Sequence, residues 1–129
     1  MRLLLDTHIA IWAVIGDPRL ARGEALLNDA DNEVFVSAVS LWEIAVKRRV
    51  ARKATSMPIS CGEAMVAFRE ASFDLLSVTP AHAAAVETLP MLHADPFDHL
   101  LAAQALSEPM RLVTHDARLA AYDSSIIRV

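Results

Sequence analysis

Short, uninterrupted runs of apolar residues recur along this chain of 129 residues, and they limit its fold more than any other pattern. Four runs, at residues 3–5, 34–36, 75–78 and 112–114, are apolar at nearly every position. Strands with one face in water alternate between apolar and polar side chains, whereas strands covered on both faces are continuously apolar. The runs therefore predict buried parallel strands, and residues 126–127 could add a short edge strand.

Longer segments with helical character separate these runs. They cover residues 7–15, 20–30, 41–52 and 62–71, and further helices begin at Thr79-Pro80, at Asp95-Pro96 and near Asp116. Thr or Asp followed by Pro is a typical helix start, because the side chain caps the first turn and proline tolerates the first helical position. Alternating strands and helices predict an α/β fold of three layers (α/β/α), with a central parallel sheet of four to five strands. We expect residues 1–129 to form a single domain.

The composition excludes several classes of protein. Hydrophobic residues make up 54% of the chain and charged residues 22%, which is incompatible with intrinsic disorder. The single cysteine, Cys61, cannot form an internal disulfide, and the apolar run before Asp6 is too short for a secretion signal. We therefore expect a cytoplasmic protein without a membrane span. Three dispersed glycines leave no phosphate-binding loop, and one cysteine with scattered histidines leaves no zinc motif.

Four acidic residues fall where predicted strands and helices meet. Asp6 directly follows the first strand and Asp116 follows the strand at 112–114, while Glu43 and Asp98 lie in the first turns of two predicted helices. In a parallel sheet, residues that follow strands gather at the carboxyl edge, where such folds bind their ligands. Four carboxylates at one edge would repel one another unless a cation lay among them. Oxygen ligands without a Cys or His motif favour Mg²⁺ or Mn²⁺.

Each of these acids also has a purely structural interpretation. Asp6 and Asp116 can act as N-caps of the helices that follow them. Ser40 and Glu43 have the spacing of a capping box, in which the glutamate reaches back to the serine amide. Glu43 also lies four residues before Lys47, which is the spacing of a surface ion pair on a helix.

Asp98 fits a structural role less well than the other acids. It could belong to a cap together with Asp95, because acidic residues are favoured at helix N-termini. However, Leu101, Ala102 and Ala105 share its helix face, which directs Asp98 toward the core. A core-facing aspartate needs a partner or a metal ion. The sequence offers no obvious local cation, since no lysine occurs after residue 53.

Four segments, taken together and in this order, resemble a known family. They are LLLDTHIAIWA near the amino terminus, VSAVSLWEIAVKRR in the middle, HADPFDHLLAAQA, and LVTHDARLAAYD. The pattern resembles the PIN domain, and most closely the VapC ribonuclease toxins of type II toxin–antitoxin pairs. The resemblance covers nearly the whole chain and implies a PIN-like fold, with a small parallel sheet between helices.

The resemblance also implies an activity, a cofactor and partners. The family's enzymes are endoribonucleases that depend on Mg²⁺ or Mn²⁺, are usually homodimers, and are blocked by a VapB-type antitoxin. By the same resemblance, the acidic quartet of the family corresponds to Asp6, Glu43, Asp98 and Asp116. Polar residues beside this acidic quartet, which would orient the acids or a bound water, are Thr7, Ser37 and Thr114. His99 stands where the family most often has an arginine, so substrate contacts at that corner are open.

Metal-assisted hydrolysis is the chemistry that such a quartet could perform. A divalent ion held by Asp6, Asp98 and Asp116 would lower the pKa of a bound water and bind a phosphate oxygen. Glu43 would complete the coordination or orient the attacking water. The sequence leaves open whether one or two ions act, and which RNA is cleaved.

One patch of positive charge stands out in this acidic chain. The net charge is −4, so the protein as a whole does not attract RNA, and a local patch would have to hold the phosphates that flank the cleaved bond. Within positions 47–53 we define a basic cluster of Lys47, Arg48, Arg49, Arg52 and Lys53. Cations at a helix end also complement the helix dipole, so RNA contact and a solvated helix end both account for the basic cluster.

Three alternatives from other classes stay open on the sequence alone. A receiver-like signalling domain also carries acids and Mg²⁺ at the carboxyl edge of an α/β sheet. It needs a phosphoacceptor aspartate after a middle strand and a late lysine, but here the strand at 75–78 is followed by Thr79 and the last lysine is Lys53. A PIN-like domain could bind RNA or protein without cleavage, and a structural domain would use all four acids as caps.

Overall fold

Five parallel strands form the centre of the computed structural model, which describes residues 1–50, 57–91 and 93–129. The strands are β1 (Arg2–Leu5), β2 (Glu33–Ser37), β3 (Asp74–Leu76), β4 (Arg111–Thr114) and β5 (Ile127–Arg128). Their order in the sheet is β3-β2-β1-β4-β5. The first strand therefore lies in the middle of the sheet, between β2 and β4. Its carboxyl end lies at the centre of the carboxyl edge of the sheet. The predicted parallel sheet of four to five strands is confirmed.

Seven α-helices connect these strands in the described part of the chain. They are α1 (Thr7–Ile15), α2 (Glu24–Asn28), α3 (Ala38–Arg49), α4 (Cys61–Glu70), α5 (Pro80–Ala85), α6 (Pro96–Ser107) and α7 (Ala117–Ala120). The first helix ends at Gly16, whose φ of 69° is a left-handed conformation that glycine adopts without steric cost. Among the described helices, none has the length and apolar character that a membrane crossing requires.

The side chains of β1 enter two hydrophobic cores, one on each face of the sheet, so the protein has three layers. Successive side chains of a strand point to opposite faces, so Leu3 and Leu5 enter one core and Leu4 enters the other. The first core contains Phe68 of α4, and the second contains Leu101 of α6. All five side chains are fully buried, and each contributes about 1.5–3 kcal/mol by leaving water. The predicted three-layer α/β/α arrangement is confirmed.

The third helix begins earlier than the sequence predicts. It starts at Ala38, because the Ser37 hydroxyl accepts a hydrogen bond from the Val39 amide and so caps the first turn. The predicted capping box of Ser40 and Glu43 is therefore wrong. Glu43 lies in the second turn of α3, where it faces the interior of the protein.

Two further element boundaries differ from the predictions. The predicted helix over residues 20–30 begins instead as a 3₁₀ helix at Pro18–Gly23, because Asp17 caps it and Pro18 sets its first turn, and only α2 is α-helical. The third strand ends at Leu76 and not at residue 78. Leu76 pairs with Ser37, the last residue of β2, so the chain beyond Leu76 has no strand to pair with.

Candidate active site

A cleft of about 570 Å³ opens at the carboxyl edge of the sheet, and we call it the acidic cleft. Asp6 enters it from the end of β1, Asp116 from the end of β4, Glu43 from α3 and Asp98 from α6. Side chains that are up to 110 residues apart in the sequence thus line one cavity. The four members of the acidic quartet are brought together as the parallel topology predicts.

Asp6 is held by the neighbouring strand and not by the helix that follows it. It occupies the N-cap position of α1, yet its side chain makes no capping hydrogen bond within the described residues. Its Oδ2 accepts a 2.8 Å hydrogen bond from the Thr114 hydroxyl, whose oxygen also accepts from the Asp116 amide at 3.0 Å. Burial raises the pKa of Asp6, partly offset by the bond from Thr114. Asp6 thus stands at the predicted N-cap position, but its side chain does not cap α1.

Glu43 is buried, with 3% of its surface exposed. Its Oε1 lies 2.6 Å from the Thr7 hydroxyl, and its Oε2 lies 2.5 Å from Lys47 Nζ. The Thr7 hydroxyl is also 2.9 Å from Ser40 Oγ, so α1 and α3 share one polar contact around this carboxylate. The predicted ion pair between Glu43 and Lys47 forms, but it is not a plain surface pair, because only the lysine end is partly exposed.

Asp98 lies in the most strongly acidic surroundings of the cleft. Burial, followed by repulsion from Asp6, Asp95 and Glu43, raises its pKa to about 8. Asp95 does act as the predicted cap of α6, since its Oδ1 accepts from the amides of Phe97 and Asp98 at 2.9 and 3.4 Å. Asp95 also lines the acidic cleft and adds to its negative charge.

His93 is a neighbour of Asp98 that the sequence interpretation missed. Its Nδ1 accepts from the Asp95 amide at 3.3 Å, which leaves the proton of the neutral ring on Nε2. Nε2 is buried without a hydrogen-bond partner among the described residues and lies 3.6 Å from Asp98 Oδ2. The only sequence signal was its position in HADPFD, because the contact depends on how the loop before α6 folds.

Asp116 differs from Asp98 in its electrostatic surroundings. Its Oδ1 accepts from the Arg118 amide at 2.7 Å, so its predicted role as the cap of α7 is confirmed. Burial favours a raised pKa, but the hydrogen bonds and the charge of Arg118 outweigh burial and lower the pKa of Asp116. The cleft therefore combines a carboxyl group that holds its proton with one that releases it readily.

Two residues next to the quartet point away from it. Ser37 is fully buried, and its hydroxyl lies 2.5 Å from Gln104 Oε1 instead of contacting a carboxylate. His99 is nearly buried against Tyr122, and its Nε2 lies 2.5 Å from the backbone oxygen of His93. His99 thus fastens the loop before α6 and is not among the residues that line the acidic cleft.

The basic cluster is only partly free to bind a ligand. Lys47 is paired with Glu43, and the Arg48 guanidinium donates to the Met57 carbonyl at 2.7 Å. Arg49 is exposed on the last turn of α3. The last two members, Arg52 and Lys53, lie outside the described residues.

The comparisons with known proteins agree with this architecture. The family model for the PIN domain matches residues 3–124. The chain belongs to the PIN domain family. This membership sets aside the receiver-like alternative.

This PIN domain is similar in sequence to a ribonuclease and in fold to VapBC structures. Ribonuclease VapC22 of Mycobacterium tuberculosis (strain ATCC 25618 / H37Rv) is 30% identical over 118 residues, which cover 91% of this chain and 88% of that protein. The structure of VapBC2 from Rickettsia felis bound to a DNA fragment from its promoter matches all of this chain and 98% of that one, with a TM-score of 0.70 and 17% identity. VapBC-1 from nontypeable Haemophilus influenzae matches with a TM-score of 0.65 and 15% identity, over 100% and 97% of the two chains. The two structures show the shared fold.

The donor set of this PIN domain fits a hard divalent cation. The ligands on offer are carboxylate oxygens, which Mg²⁺ and Mn²⁺ prefer, and their mutual repulsion would be relieved by a positive ion. Among the described residues, no three His, Cys, Asp or Glu side chains converge closely enough to hold an ion as they lie. An ion would have to compete with Thr114 for Asp6, and with Thr7 and Lys47 for Glu43.

Proposed function

We propose that this PIN domain is a metal-dependent endoribonuclease that hydrolyses RNA phosphodiester bonds at the acidic quartet. The observation that carries the proposal is the arrival of four carboxylates from four separate elements in one cleft. A purely structural domain has no reason to bury mutually repelling acids at one point. The 30% identity to a protein named a ribonuclease supports the same activity. The proposal treats residues 1–129 as one catalytic unit.

The four acids take different roles in this proposal. Asp6, Asp98 and Asp116 hold Mg²⁺ or Mn²⁺, while Glu43 completes the coordination or orients the attacking water. A divalent ion supplies an acidified water and neutralises charge on the phosphate when it is bound. Thr114 and Thr7 orient Asp6 and Glu43 through the hydrogen bonds described above. Ser37 acts indirectly, because it caps α3, the helix that carries Glu43.

The basic cluster is proposed to hold RNA phosphates on the α3 side of the acidic cleft. Arg49 is exposed on the last turn of α3, and the cluster includes Arg52 and Lys53 a few residues further along the chain. Neutralising these positions one at a time is expected to weaken RNA binding and to reduce its salt dependence, because each phosphate contact releases counterions. An unchanged affinity and an unchanged salt slope would contradict this part of the proposal.

We further propose that the protein is the toxin of a VapBC-type pair, acts in the cytoplasm as a homodimer, and is inhibited by a VapB-type antitoxin. The resemblance in fold to two VapBC complexes supports the antitoxin. In this proposal, a basic side chain of the antitoxin enters the acidic cleft in place of the metal ion. An antitoxin fragment that inhibits wild type, and binds Asp6→Asn and Asp98→Asn proteins with unchanged affinity, would contradict that mode of inhibition.

Cleavage of total cellular RNA by the purified, antitoxin-free protein tests the central proposal. The reactions contain Mg²⁺ or Mn²⁺, or EDTA, and a parallel series uses the Asp98→Asn variant. We expect discrete fragments that disappear with EDTA and with the variant. The ends of the fragments would identify the cleavage site.

A PIN domain that binds RNA or protein without cleaving is the alternative. It predicts no fragments under any of these conditions while the protein remains folded. Thermal stabilisation by Mn²⁺ separates the cases further, because a metal site raises the melting temperature when it fills. A protein that neither cleaves nor responds to Mn²⁺ would show that the four acids serve the fold alone.

A further inference from the structure

Positive charge lines the acidic cleft on the side away from α3. Arg118 of α7 and Arg128 of β5 both contribute to the lining, next to the His115 loop that follows β4. In the sheet, β2 lies on one side of β1, whereas β4 and β5 lie on the other. Lys47 contacts the quartet from α3 through Glu43, whereas Arg118 and Arg128 line the cleft from α7 and β5. The sequence interpretation assigned no role to Arg118 or Arg128.

The side chain of Arg128 makes one hydrogen bond to the backbone beside the cleft. Its Nε donates to the His115 carbonyl at 3.4 Å, and His115 Nδ1 lies 2.8 Å from the backbone oxygen of Val129. The Val129 amide in turn donates to the Thr114 carbonyl at 2.9 Å. These hydrogen bonds thus link the Nε atom of Arg128 to the segment that carries Thr114 and Asp116. An arginine that is already ordered loses less entropy when it binds a ligand.

The guanidinium of Arg128 is more available than the other cations around the cleft. Arg118 lies 3.6 Å from Asp116, and Lys47 is bound to Glu43. The two terminal nitrogens of Arg128 make no hydrogen bond or ion pair with any described residue, and the side chain is exposed. Arg128 therefore offers a planar pair of donors to a ligand in the cleft.

We propose that Arg128 binds a backbone phosphate of the RNA strand, adjacent to the phosphate that lies at the acidic quartet. This inference rests on the proposed ribonuclease function. A polyanion that enters a cleft of five carboxylates must be neutralised along its length, and a guanidinium matches the geometry of a phosphate with two parallel hydrogen bonds. Arg128 then holds the RNA strand on the β5 side of the reacting phosphate.

RNA binding in a cleavage-deficient background tests this assignment. All proteins carry Asp98→Asn, and Mn²⁺ is present throughout. The probe is a short single-stranded RNA of mixed sequence, labelled with fluorescein and followed by anisotropy over a range of salt concentrations. We expect Arg128→Gln to weaken binding about tenfold and to reduce the salt slope by about 0.7, the value for one phosphate contact on a single strand. Arg128→Lys keeps the charge, and its affinity and salt slope are expected to lie between those of Arg128→Gln and those of the parent.

Arg69→Gln is the matched control, because Arg69 is an exposed arginine on α4 that does not line the cleft. It is expected to bind RNA like the parent, and thermal melting verifies that each variant is folded. If Arg128→Gln binds with the affinity and salt slope of its parent, the phosphate contact is wrong, whereas cleavage by the otherwise wild-type protein would still support the ribonuclease. If the parent does not bind and wild type does not cleave, the proposed function itself is wrong. Lost affinity for a VapB-type antitoxin with unchanged RNA binding would show that Arg128 serves a protein carboxylate instead.

Discussion

The Thr114 hydroxyl joins Asp6 to the neighbouring strand through a 2.8 Å hydrogen bond to Oδ2. The same oxygen accepts from the Asp116 amide, so one side chain at the end of β4 positions the acids that follow both β1 and β4. Thr114 is itself fully buried, which prevents water from replacing it. Two acids of the quartet are thus oriented by a residue that titrates at no relevant pH.

Replacing Thr114 by valine removes this hydroxyl and preserves the shape of the side chain. We expect Thr114→Val to slow RNA cleavage by about 10–100-fold, the usual cost of losing a residue that orients a metal ligand. The free energy of unfolding is expected to fall by about 1–3 kcal/mol, because the buried Asp6 carboxylate loses its hydrogen-bond donor. Thr114→Ser keeps the hydroxyl and serves as the control, with near wild-type cleavage. Equal rates for the valine variant and the wild type would show that Asp6 needs no such orientation.

The contribution of the hydrogen bond between Thr7 and Glu43 to the stability of the protein can be measured by denaturation. Thr7→Val leaves the buried Oε1 of Glu43 without its 2.6 Å hydrogen bond. We expect a loss of about 1–3 kcal/mol in the free energy of unfolding, because a buried charged acceptor keeps its desolvation penalty. Ser40→Ala removes only the 2.9 Å neighbour of Thr7 and is expected to cost less, about 0.5–1.5 kcal/mol. The reverse order of the two losses, in urea unfolding, would contradict this assignment.

The raised pKa of Asp98 predicts how the metal-free protein responds to pH. Its pKa of about 8 lies above the unfolded value, so the folded state binds the extra proton between the two. The stability that comes from this group is therefore greatest at low pH and declines as the pH rises to about 8. We expect Asp98→Asn to stabilise the metal-free protein at about pH 9 by about 1 kcal/mol, or about 4 °C in melting temperature.

Asp17→Asn is the control for this pH experiment. Asp17 caps the 3₁₀ helix at Pro18–Gly23, and the hydrogen bonds from Arg19 lower its pKa. Its replacement is therefore expected to give no gain in melting temperature at high pH. Melting curves of both variants, recorded in EDTA across the pH range, make the comparison. No gain from Asp98→Asn would mean that burial and the neighbouring acids do not disfavour the ionised Asp98 as its position implies.

A variant of Ser37 distinguishes a structural role of this residue from a role at the acidic quartet. Ser37→Ala removes the cap of α3 and the contact with Gln104, so we expect a loss of about 1–3 kcal/mol in the free energy of unfolding. The stabilisation by Mn²⁺ is expected to persist, because the Ser37 hydroxyl contacts no acid of the quartet in this structure. A complete loss of the Mn²⁺ response, in a variant that still folds, would restore the role beside the metal that the family resemblance implies.

The strands and the meeting point of the acids could be predicted because both follow from local sequence. Continuous apolar runs specify strands covered on both faces, as the fully buried Leu3, Leu4 and Leu5 show. Once the sheet is parallel, any residue that follows a strand lies at its carboxyl edge. Asp6 and Asp116 could therefore be assigned to one cleft without coordinates.

The missed features all depend on contacts between distant segments. The start of α3 is set by Ser37, whose second partner, Gln104, comes from α6. His93 reaches Asp98 only because of the path of the loop before α6, and Arg128 reaches the cleft because β5 pairs with β4. Hydrophobic periodicity carries no information on such side-chain contacts, so these residues looked like ordinary polar positions.

The helix that carries Asp98 packs on the sheet through small side chains. Ala102 and Ala105 of α6 are buried against Leu4 and Leu112, with almost no exposed surface. The separation of Asp98 from Asp6 is therefore set in part by the volumes of side chains that never touch a substrate. A larger residue at either alanine would lift the helix and its carboxylate together, unless a leucine beneath it became smaller. Among related sequences, substitutions in this half of the core are therefore expected to occur in compensating pairs. The conserved packing then preserves the position of Asp98 relative to Asp6.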